Sequence, residues 1–159
     1  MVRRRRNHNC KRESLKLSRT TADIVFMFEW KTDYATGIGS IDAQHQSLFA
    51  IGRELYAAMS EGQGKAVLGR ILDRLVQYTT VHFAHEERLM KLHNYADLAA
   101  HKAQHDALVK QVMTLQEEFR AGRATMAVQV LQVLKDWLDG HIRKTDMAYT
   151  ECLKAHKAA

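Results

Sequence analysis

The stretch HFAHEERLM, residues 82–90, decides how the rest of this chain is interpreted. Its first histidine and first glutamate, His82 and Glu86, are four residues apart, so on an α-helix they lie about 40° apart and one turn above each other. Phe83 and Met90 mark this face as directed toward a core. A polar pair that points into a core needs a partner. Two interpretations are open: a buried hydrogen bond within the pair, or a metal centre between helices.

The composition favours one helical domain without a membrane span. The chain has 159 residues, of which 46% are hydrophobic, so it can bury a sizeable core, and no apolar run approaches the ~18 residues of a spanning helix. Eight Gly and no Pro favour long helices over a turn-rich sheet protein. Cys10 and Cys152 are too few for a disulfide framework or a thiolate metal site, and they indicate a reducing, cytoplasmic compartment.

Basic residues are concentrated at the N-terminus. Residues 1–26 contain eight Lys or Arg and two acidic residues, while the charges of the remainder cancel, so the net charge of +6 belongs to this segment. We expect a solvated, disordered extension, and binding to nucleic acid or to an anionic membrane surface is the alternative. A third possibility is that residues 1–26 are not part of the mature protein and that Met27 is its start.

Hydrophobic periodicity predicts four helices from residue 40 onward. The first extends from Ser40, a candidate N-cap, to Ser60, and Asp97 is a candidate cap of the third. Three short turns separate the helices, at residues 61–64, 94–97 and 120–124. Four helices of about 20–30 residues with short connections predict an all-α fold, in which residues 27–159 form an up-down-up-down antiparallel four-helix bundle with an irregular N-terminal arm.

Histidines fall on the inward rows of all four predicted helices. They are His45 on the first helix, His82 on the second, His101 and His105 on the third, and His141 on the fourth. Five imidazoles without partners would strongly destabilise a core. A metal would remove this difficulty, because it accepts the lone pairs of the ring nitrogens.

The number of donors indicates which metal. Five nitrogens and two carboxylates exceed the four ligands of a structural zinc and favour two first-row ions that share bridging carboxylates. The second carboxylate is Asp146, whose five-residue offset from His141 is about 140° on an ideal α-helix, so it reaches the site from the far side of the metals or through a locally widened turn. Taken alone, Asp146 is more typical of a surface charge.

The other polar residues near these positions are expected outside the site. His85 and Glu87 are expected on the outer surface of the bundle and His93 beside a turn, while His8 and His156 lie near the chain ends.

A set of motifs in fixed order resembles the hemerythrin family, and specifically its single-domain bacterial form, bacteriohemerythrin. The set runs through Phe28-Glu29-Trp30, Gly37, Ile41-Asp42-x-x-His45-Gln46-x-Leu48-Phe49, His82-Phe83-x-x-Glu86-Glu87-x-x-Met90, Tyr95, His101-x-x-x-His105 and Trp137-Leu138-x-x-His141-Ile142-x-x-x-Asp146-x-x-Tyr149. The resemblance covers residues 27–159. Two positions depart from the usual pattern: Ala96 stands where Pro is common, and Asp139-Gly140 precede His141. Asp139 is expected to face solvent.

The resemblance implies a non-haem di-iron centre that changes between Fe2+ and Fe3+ and carries a bridging hydroxide or oxide. One iron would be bound by His101, His105 and His141, the other by His45 and His82, and Glu86 and Asp146 would bridge both. The second iron would be one ligand short, which leaves a place for O2.

Apolar residues one turn from these ligands would form the wall of the O2 pocket. They are Leu48, Phe49, Leu108, Val109, Trp137 and Leu138. Such a wall would exclude water and reductants, although ordinary core packing explains the same residues.

Reversible O2 binding, for storage, transport or sensing, is the function that these features favour. No residue resembles a general acid or base directed at an organic substrate, which indicates a binding protein rather than an enzyme. A di-iron oxidase, peroxidase or ferroxidase is the first alternative, but ferritin-like enzymes use four Glu and two His. The second alternative is an interaction module that senses oxygen or iron and docks through the basic N-terminal tail. The bundle itself is not expected to bind nucleic acid.

Overall fold

A computed structural model describes residues 28–123 and 126–155 of the chain. Its helices, apart from a 3-10 turn at Thr32–Tyr34, are α1 (Gly39–Ser60), α2 (Gly64–Leu92), α3 (Leu98–Arg120), α4 (Met126–Asp136), a π-helical segment (Trp137–Asp146) and α5 (Met147–Ala155). The last three follow one another without interruption and form the fourth helix of the bundle. The predicted antiparallel four-helix bundle is confirmed. The predicted extension, residues 1–26, lies outside the described residues.

The three predicted turns begin with the same helix ending. In each, the residue after the C-cap has a positive φ: +72° at Gly62, +52° at Asn94 and +86° at Gly122. The N–H of this residue and the N–H of the next one bond back to the last turn, as Gly62 N–H does to Met59 O and Gln63 N–H to Ala58 O. This is the Schellman arrangement, which favours Gly or Asn because a Cβ is strained at positive φ. The local sequence therefore fixes where each helix stops.

The start of α1 differs from the prediction. The helix begins at Gly39, its N-cap position is Ile38, and Ser40 is not the cap. Instead, the Asp42 carboxylate accepts hydrogen bonds from the N–H and the hydroxyl of Thr36, both at 2.7 Å. A carboxylate in the first turn also interacts favourably with the helix dipole. Asp42 thus folds the preceding loop onto α1. At α3, Asp97 occupies the predicted N-cap position, although its side chain makes no capping bond.

The N-terminal arm packs onto the bundle. Its Phe28 is buried with its ring in the space that a Cβ on Gly52 would occupy, and Arg53 donates a hydrogen bond to the Phe28 carbonyl at 2.8 Å. The Tyr34 hydroxyl donates to Asp139 in the π-helical segment at 3.0 Å. Asp139 is therefore an anchor for the arm, with a side chain that is 43% exposed, rather than a residue that simply faces solvent.

The core has two apolar parts. The main apolar cluster contains, among others, Phe49, Leu55, Ile71, Leu72, Leu134 and Trp137. A smaller end cluster contains Ile38, Ile41, Met90, Tyr149 and Leu153. Along each helix of the bundle, the predicted ligands fall between residues of these two clusters. None of the helices in residues 28–123 and 126–155 is long and apolar enough to span a membrane.

Candidate metal centre

The fold brings together all seven side chains that were expected to hold metal. They lie in two groups, and within each group the candidate donor atoms are within 4.8 Å of one another. The three-histidine group consists of His101, His105 and His141 with Glu86 and Asp146, and the two-histidine group consists of His45 and His82 with the same two carboxylates. Each of the seven residues is at most 5% exposed. We call these seven side chains the histidine layer.

Two pairs in this layer follow directly from helical periodicity. His82 and Glu86 lie one turn apart on α2, with 3.6 Å between His82 Nε2 and Glu86 Oε2. His101 and His105 lie one turn apart on α3, and their Nε2 atoms are 2.9 Å apart. Spacing of four residues places side chains on one helix face, so the two pairs meet where α2 packs against α3.

Asp146 reaches the centre through the π-helical segment. A π-helix bonds residue i to residue i+5, so a five-residue offset brings Asp146 back to the face of His141. Its Oδ1 lies 3.2 Å from His141 Nε2 and its Oδ2 lies 3.3 Å from His45 Nε2. Of the two routes that the sequence left open, the widened turn is observed. The surface position expected of Asp146 taken alone is wrong, because the residue is fully buried.

Most donor atoms of the layer have no hydrogen-bond partner among the described residues. They are both ring nitrogens of His45, Nε2 of His82 and of His141, Oε2 of Glu86, and both carboxylate oxygens of Asp146. A buried polar atom left unpaired costs about 1–3 kcal/mol, so a structural hydrogen-bond network does not explain this cluster. Imidazole and carboxylate lone pairs that converge in this way are a donor set for first-row metal ions. The residues therefore fit a pair of metal ions.

Burial keeps the histidines in the form that binds metal. It lowers the pKa of His82 and that of His141 to about 3, and it lowers the pKa of His45 as well. These rings are therefore neutral near pH 7, with a nitrogen lone pair available to a cation.

The two carboxylates are shifted in opposite directions. Burial alone would raise the pKa of Glu86, but the rings of His82, His101 and His105 outweigh it and hold this pKa well below its usual range. Burial and the charge of Glu86 raise the pKa of Asp146 well above its usual range. Two neighbouring carboxylates that cannot both ionise alone become compatible once cations lie between them.

Two ligand rings are held from behind by side chains that sequence reasoning did not assign. Because Nε2 of His82 and of His105 faces the centre, Nδ1 carries the outward N–H. His82 Nδ1 donates to Gln44 Oε1 at 2.9 Å, and His105 Nδ1 donates to Glu87 Oε1 at 3.0 Å. Glu87, expected on the outer surface, is therefore only partly exposed there, because its carboxylate also contacts a ligand ring. Each partner directly adjoins a ligand in sequence, Gln44 before His45 and Glu87 after Glu86, which is the signal that could have found them.

A third outer contact comes from Tyr149, whose buried hydroxyl donates a hydrogen bond to Glu86 Oε1. Tyr149 lies on α5, and Glu86 lies on α2. The bond fixes one carboxylate oxygen of Glu86 and leaves Oε2 without a hydrogen bond, directed at the histidine layer. His85, in contrast, contacts Ser40 and Arg88 at the bundle surface, and His93 is the C-cap of α2.

The apolar residues predicted to line an O2 pocket all belong to, or pack against, the main apolar cluster. Leu48, Phe49, Trp137 and Leu138 are buried, and Leu108 and Val109 are partly buried.

Tyr78 joins these residues beside the layer. Its ring centroid is 4.8 Å from that of His82 and 5.5 Å from that of Trp137. A pocket of about 290 Å³ lies between α1 and α2 and is lined in part by Gln44, Arg74, Tyr78 and His82. The pocket therefore reaches the two-histidine group from the protein surface.

Known proteins are similar to this chain in sequence. Residues 36–153 match the family described as the hemerythrin HHE cation binding domain. The chain is 38% identical over 123 residues to the bacteriohemerythrin of Methylococcus capsulatus, a match that covers 77% of this chain and 93% of that protein. It is 37% identical over 127 residues to the bacteriohemerythrin of Stenotrophomonas maltophilia, covering 80% of this chain and 82% of the relative.

Solved structures agree with these sequence matches. A crystal structure of wild-type hemerythrin superposes with a TM-score of 0.71 at 37% identity and covers 79% of this chain and 96% of that chain. The range matched by the family includes every side chain of both donor groups. The chain therefore belongs to the hemerythrin family.

Proposed function

We propose that this protein binds O2 reversibly at a non-haem di-iron centre, for storage, transport or sensing. The observation that carries the proposal is the histidine layer: five buried imidazoles and two buried carboxylates whose donor atoms converge, most of them without a hydrogen-bond partner among the described residues. The bacteriohemerythrins and hemerythrin structures that the chain resembles support the same function.

The two donor groups suggest how the irons are shared. The three-histidine group, His101, His105 and His141, would hold one iron, and His45 and His82 would hold the other. Glu86 and Asp146 belong to both groups, so they are suited to bridge the two ions, which a hydroxide or oxide would also link. When bound, such an iron pair supplies the electrons that bind O2 and recovers them when O2 leaves.

The surrounding side chains favour release of intact O2. The iron of the two-histidine group would have fewer protein ligands, and the pocket that reaches His82 is a route for a small molecule to that end. Phe49, Trp137 and Leu138, one turn from the ligands, are buried in the main apolar cluster and are suited to exclude water from the layer. A dry surrounding slows proton entry and loss of reduced oxygen species.

Binding is a better proposal than catalysis for this donor set. Ferritin-like di-iron enzymes use a carboxylate-rich set, with four Glu and two His. The layer described here has five histidines and two carboxylates. Neutral nitrogen donors in that proportion suit a carrier that returns O2 unchanged, and we propose that the protein is not an oxidase, peroxidase or ferroxidase.

Residues 1–26 are proposed to be an accessory segment rather than part of the O2-binding unit. The family match begins at residue 36, and the net charge of +6 belongs to residues 1–26. Deletion of residues 1–26 is expected to leave O2 binding unchanged. Salt-sensitive binding to DNA or anionic vesicles that disappears with the deletion would instead favour the sensing module. The low cysteine content supports a cytoplasmic location, which fractionation of the native cells would test.

Optical spectroscopy on iron-loaded, anaerobically reduced protein tests the function. We expect a visible absorption band that appears on exposure to air and disappears on degassing, over repeated cycles. Irreversible bleaching with release of hydrogen peroxide would favour the oxidase alternative. Fewer than two irons per chain would contradict both.

A further inference from the structure

The two donor groups differ in what lies behind their histidines. In the three-histidine group, the outward N–H of His105 meets the carboxylate of Glu87 at 3.0 Å. In the two-histidine group, the outward N–H of His82 meets the amide oxygen of Gln44 at 2.9 Å. The two hydrogen bonds have nearly the same length, so the difference between them is the charge of the acceptor.

A charged hydrogen-bond acceptor changes the donor strength of a histidine ring more than a neutral acceptor does. A carboxylate that accepts the Nδ1–H of a histidine strengthens the hydrogen bond and raises the electron donation of the opposite nitrogen toward a metal. An amide oxygen fixes the orientation of the ring but adds no charge. The structure therefore gives one half of the layer a stronger donor than the other half.

Glu87 is itself held in place. Its Oε2 lies 3.6 Å from Lys102 Nζ, and its side chain is 24% exposed. The His105 ring is also fixed from a second direction, because it stacks on Phe83 with 3.8 Å between ring centroids and 5° between planes. Neither side chain needs to reorganise for Nε2 of His105 to face the centre.

We propose that Glu87 is a positioning residue that makes the three-histidine group bind metal more tightly, and favour the higher oxidation state more strongly, than its ligand count alone would give. Gln44 holds His82 in the same way without this gain. The inference rests on the proposed function, since it concerns the two halves of the same centre. The two halves of the centre would then differ in their outer hydrogen-bond acceptors as well as in their number of histidines.

A charge exchange between the two acceptors tests the inference. Glu87→Gln keeps an acceptor of the same size and removes its charge, while Gln44→Glu adds a charge behind His82. The control is Asp106→Asn, which removes a carboxylate 2.9 Å from the same Lys102 but does not contact His105. The probe is Co2+ alone, titrated into full-length metal-free protein against a competing chelator and followed by visible absorbance.

Loss of an outer partner of a metal-bound histidine commonly weakens metal binding 10–100-fold. We expect Glu87→Gln to weaken the tighter of two Co2+ binding steps by about 10-fold or more, and Gln44→Glu to strengthen the weaker step. Iron-loaded Glu87→Gln should also be reduced at a higher potential than the wild type, whereas Asp106→Asn should match the wild type in every measurement.

The outcomes separate this inference from the function on which it rests. If wild-type protein binds two Co2+ ions and Glu87→Gln leaves both affinities and the reduction potential unchanged, the role of Glu87 is overturned while the centre stands. A change confined to the stability of metal-free protein would also overturn it, because that is the result of a merely structural role. If wild-type protein binds fewer than two Co2+ ions, the proposed centre fails, and the inference with it.

Discussion

The main apolar cluster and the histidine layer are buried equally well and are stabilised differently. Leu55, Ile71 and Leu72 are fully buried among other apolar side chains, and removing them from water is favourable without any added group. His45, Glu86 and Asp146 are just as buried, but both ring nitrogens of His45, both carboxylate oxygens of Asp146 and Oε2 of Glu86 lack hydrogen-bond partners among the described residues. The cluster therefore drives folding, whereas the layer opposes it until metal binds.

The largest expected effect is loss of the metal-dependent stability. Metal that binds only the folded state should raise the free energy of unfolding by about 4 kcal/mol when its free concentration exceeds the dissociation constant roughly 1,000-fold. Glu86→Ala removes a carboxylate shared by both donor groups, so this gain should disappear together with bound iron. Urea unfolding with and without metal, combined with iron analysis, measures it.

The matched control for Glu86→Ala is Glu117→Ala, which alters an exposed carboxylate on α3. It should keep the full metal-dependent gain. Normal iron content in Glu86→Ala would remove Glu86 from the proposed ligand set.

A substitution in the main apolar cluster should lower the stability of the protein without affecting metal binding. Leu72→Ala leaves a cavity in the cluster, and such changes cost about 2–5 kcal/mol of unfolding free energy. We expect the same loss with and without metal and an unchanged iron content, because Leu72 is a side chain of the cluster and not of the layer. Urea unfolding with and without metal, combined with iron analysis, measures both. A loss of unfolding free energy that depends on metal would show that the cluster and the layer are not independent.

Two buried tyrosines beside the layer differ in their hydrogen bonding. Tyr149 donates a hydrogen bond to Glu86, whereas the buried Tyr78 hydroxyl has no partner among the described residues. Tyr149→Phe should lower the unfolding free energy by about 2 kcal/mol, the usual value for a hydrogen bond to a charged group. Tyr78→Phe should leave it unchanged or slightly higher. Thermal unfolding of both metal-free variants tests this, and equal losses would contradict the assigned contacts.

Acid should destabilise the layer before it destabilises the cluster. The pKa values of His82 and His141 are about 3 in the folded protein, against 6.5 for an unperturbed histidine. Between these values the unfolded chain binds more protons, so stability falls as the pH decreases through 6.5. For the two rings together we expect a loss of about 1 kcal/mol between pH 7 and pH 6 in metal-free protein. A free energy of urea unfolding that is the same at both pH values would contradict this expectation.

The bundle could be predicted from the sequence because its signals are local. The apolar rows of α2 and α3 follow the helical period, and Gly62 and Gly122 mark where helices end. The cap of α1 could not be predicted in the same way. Ser40 is a good capping residue, but the N-cap position falls on Ile38, and the Asp42 carboxylate instead holds the loop that contains Thr36.

The positions of the seven predicted ligands were also accessible from sequence, but their surroundings were not. His82 and Glu86 are related by one turn of an ordinary α-helix, which sequence spacing reveals directly. Asp146 required the π-helical segment, whose widened turn has no simple sequence signal, and only the structure chose between the two routes. Glu87 was expected on the outer surface, and spacing along α2 alone does not show what another helix brings against it. Its contact with His105 depends on how α3 packs against α2.

Oxygen uptake by the reduced protein is the most direct test of reversible O2 binding. Iron-loaded, anaerobically reduced protein in a closed cell with an oxygen electrode should take up one O2 for each pair of irons and return it when the oxygen pressure is lowered. No hydrogen peroxide should appear, and the cycle should repeat without loss of iron. Uptake that is not returned, or that ends in hydrogen peroxide, would contradict reversible binding at the histidine layer.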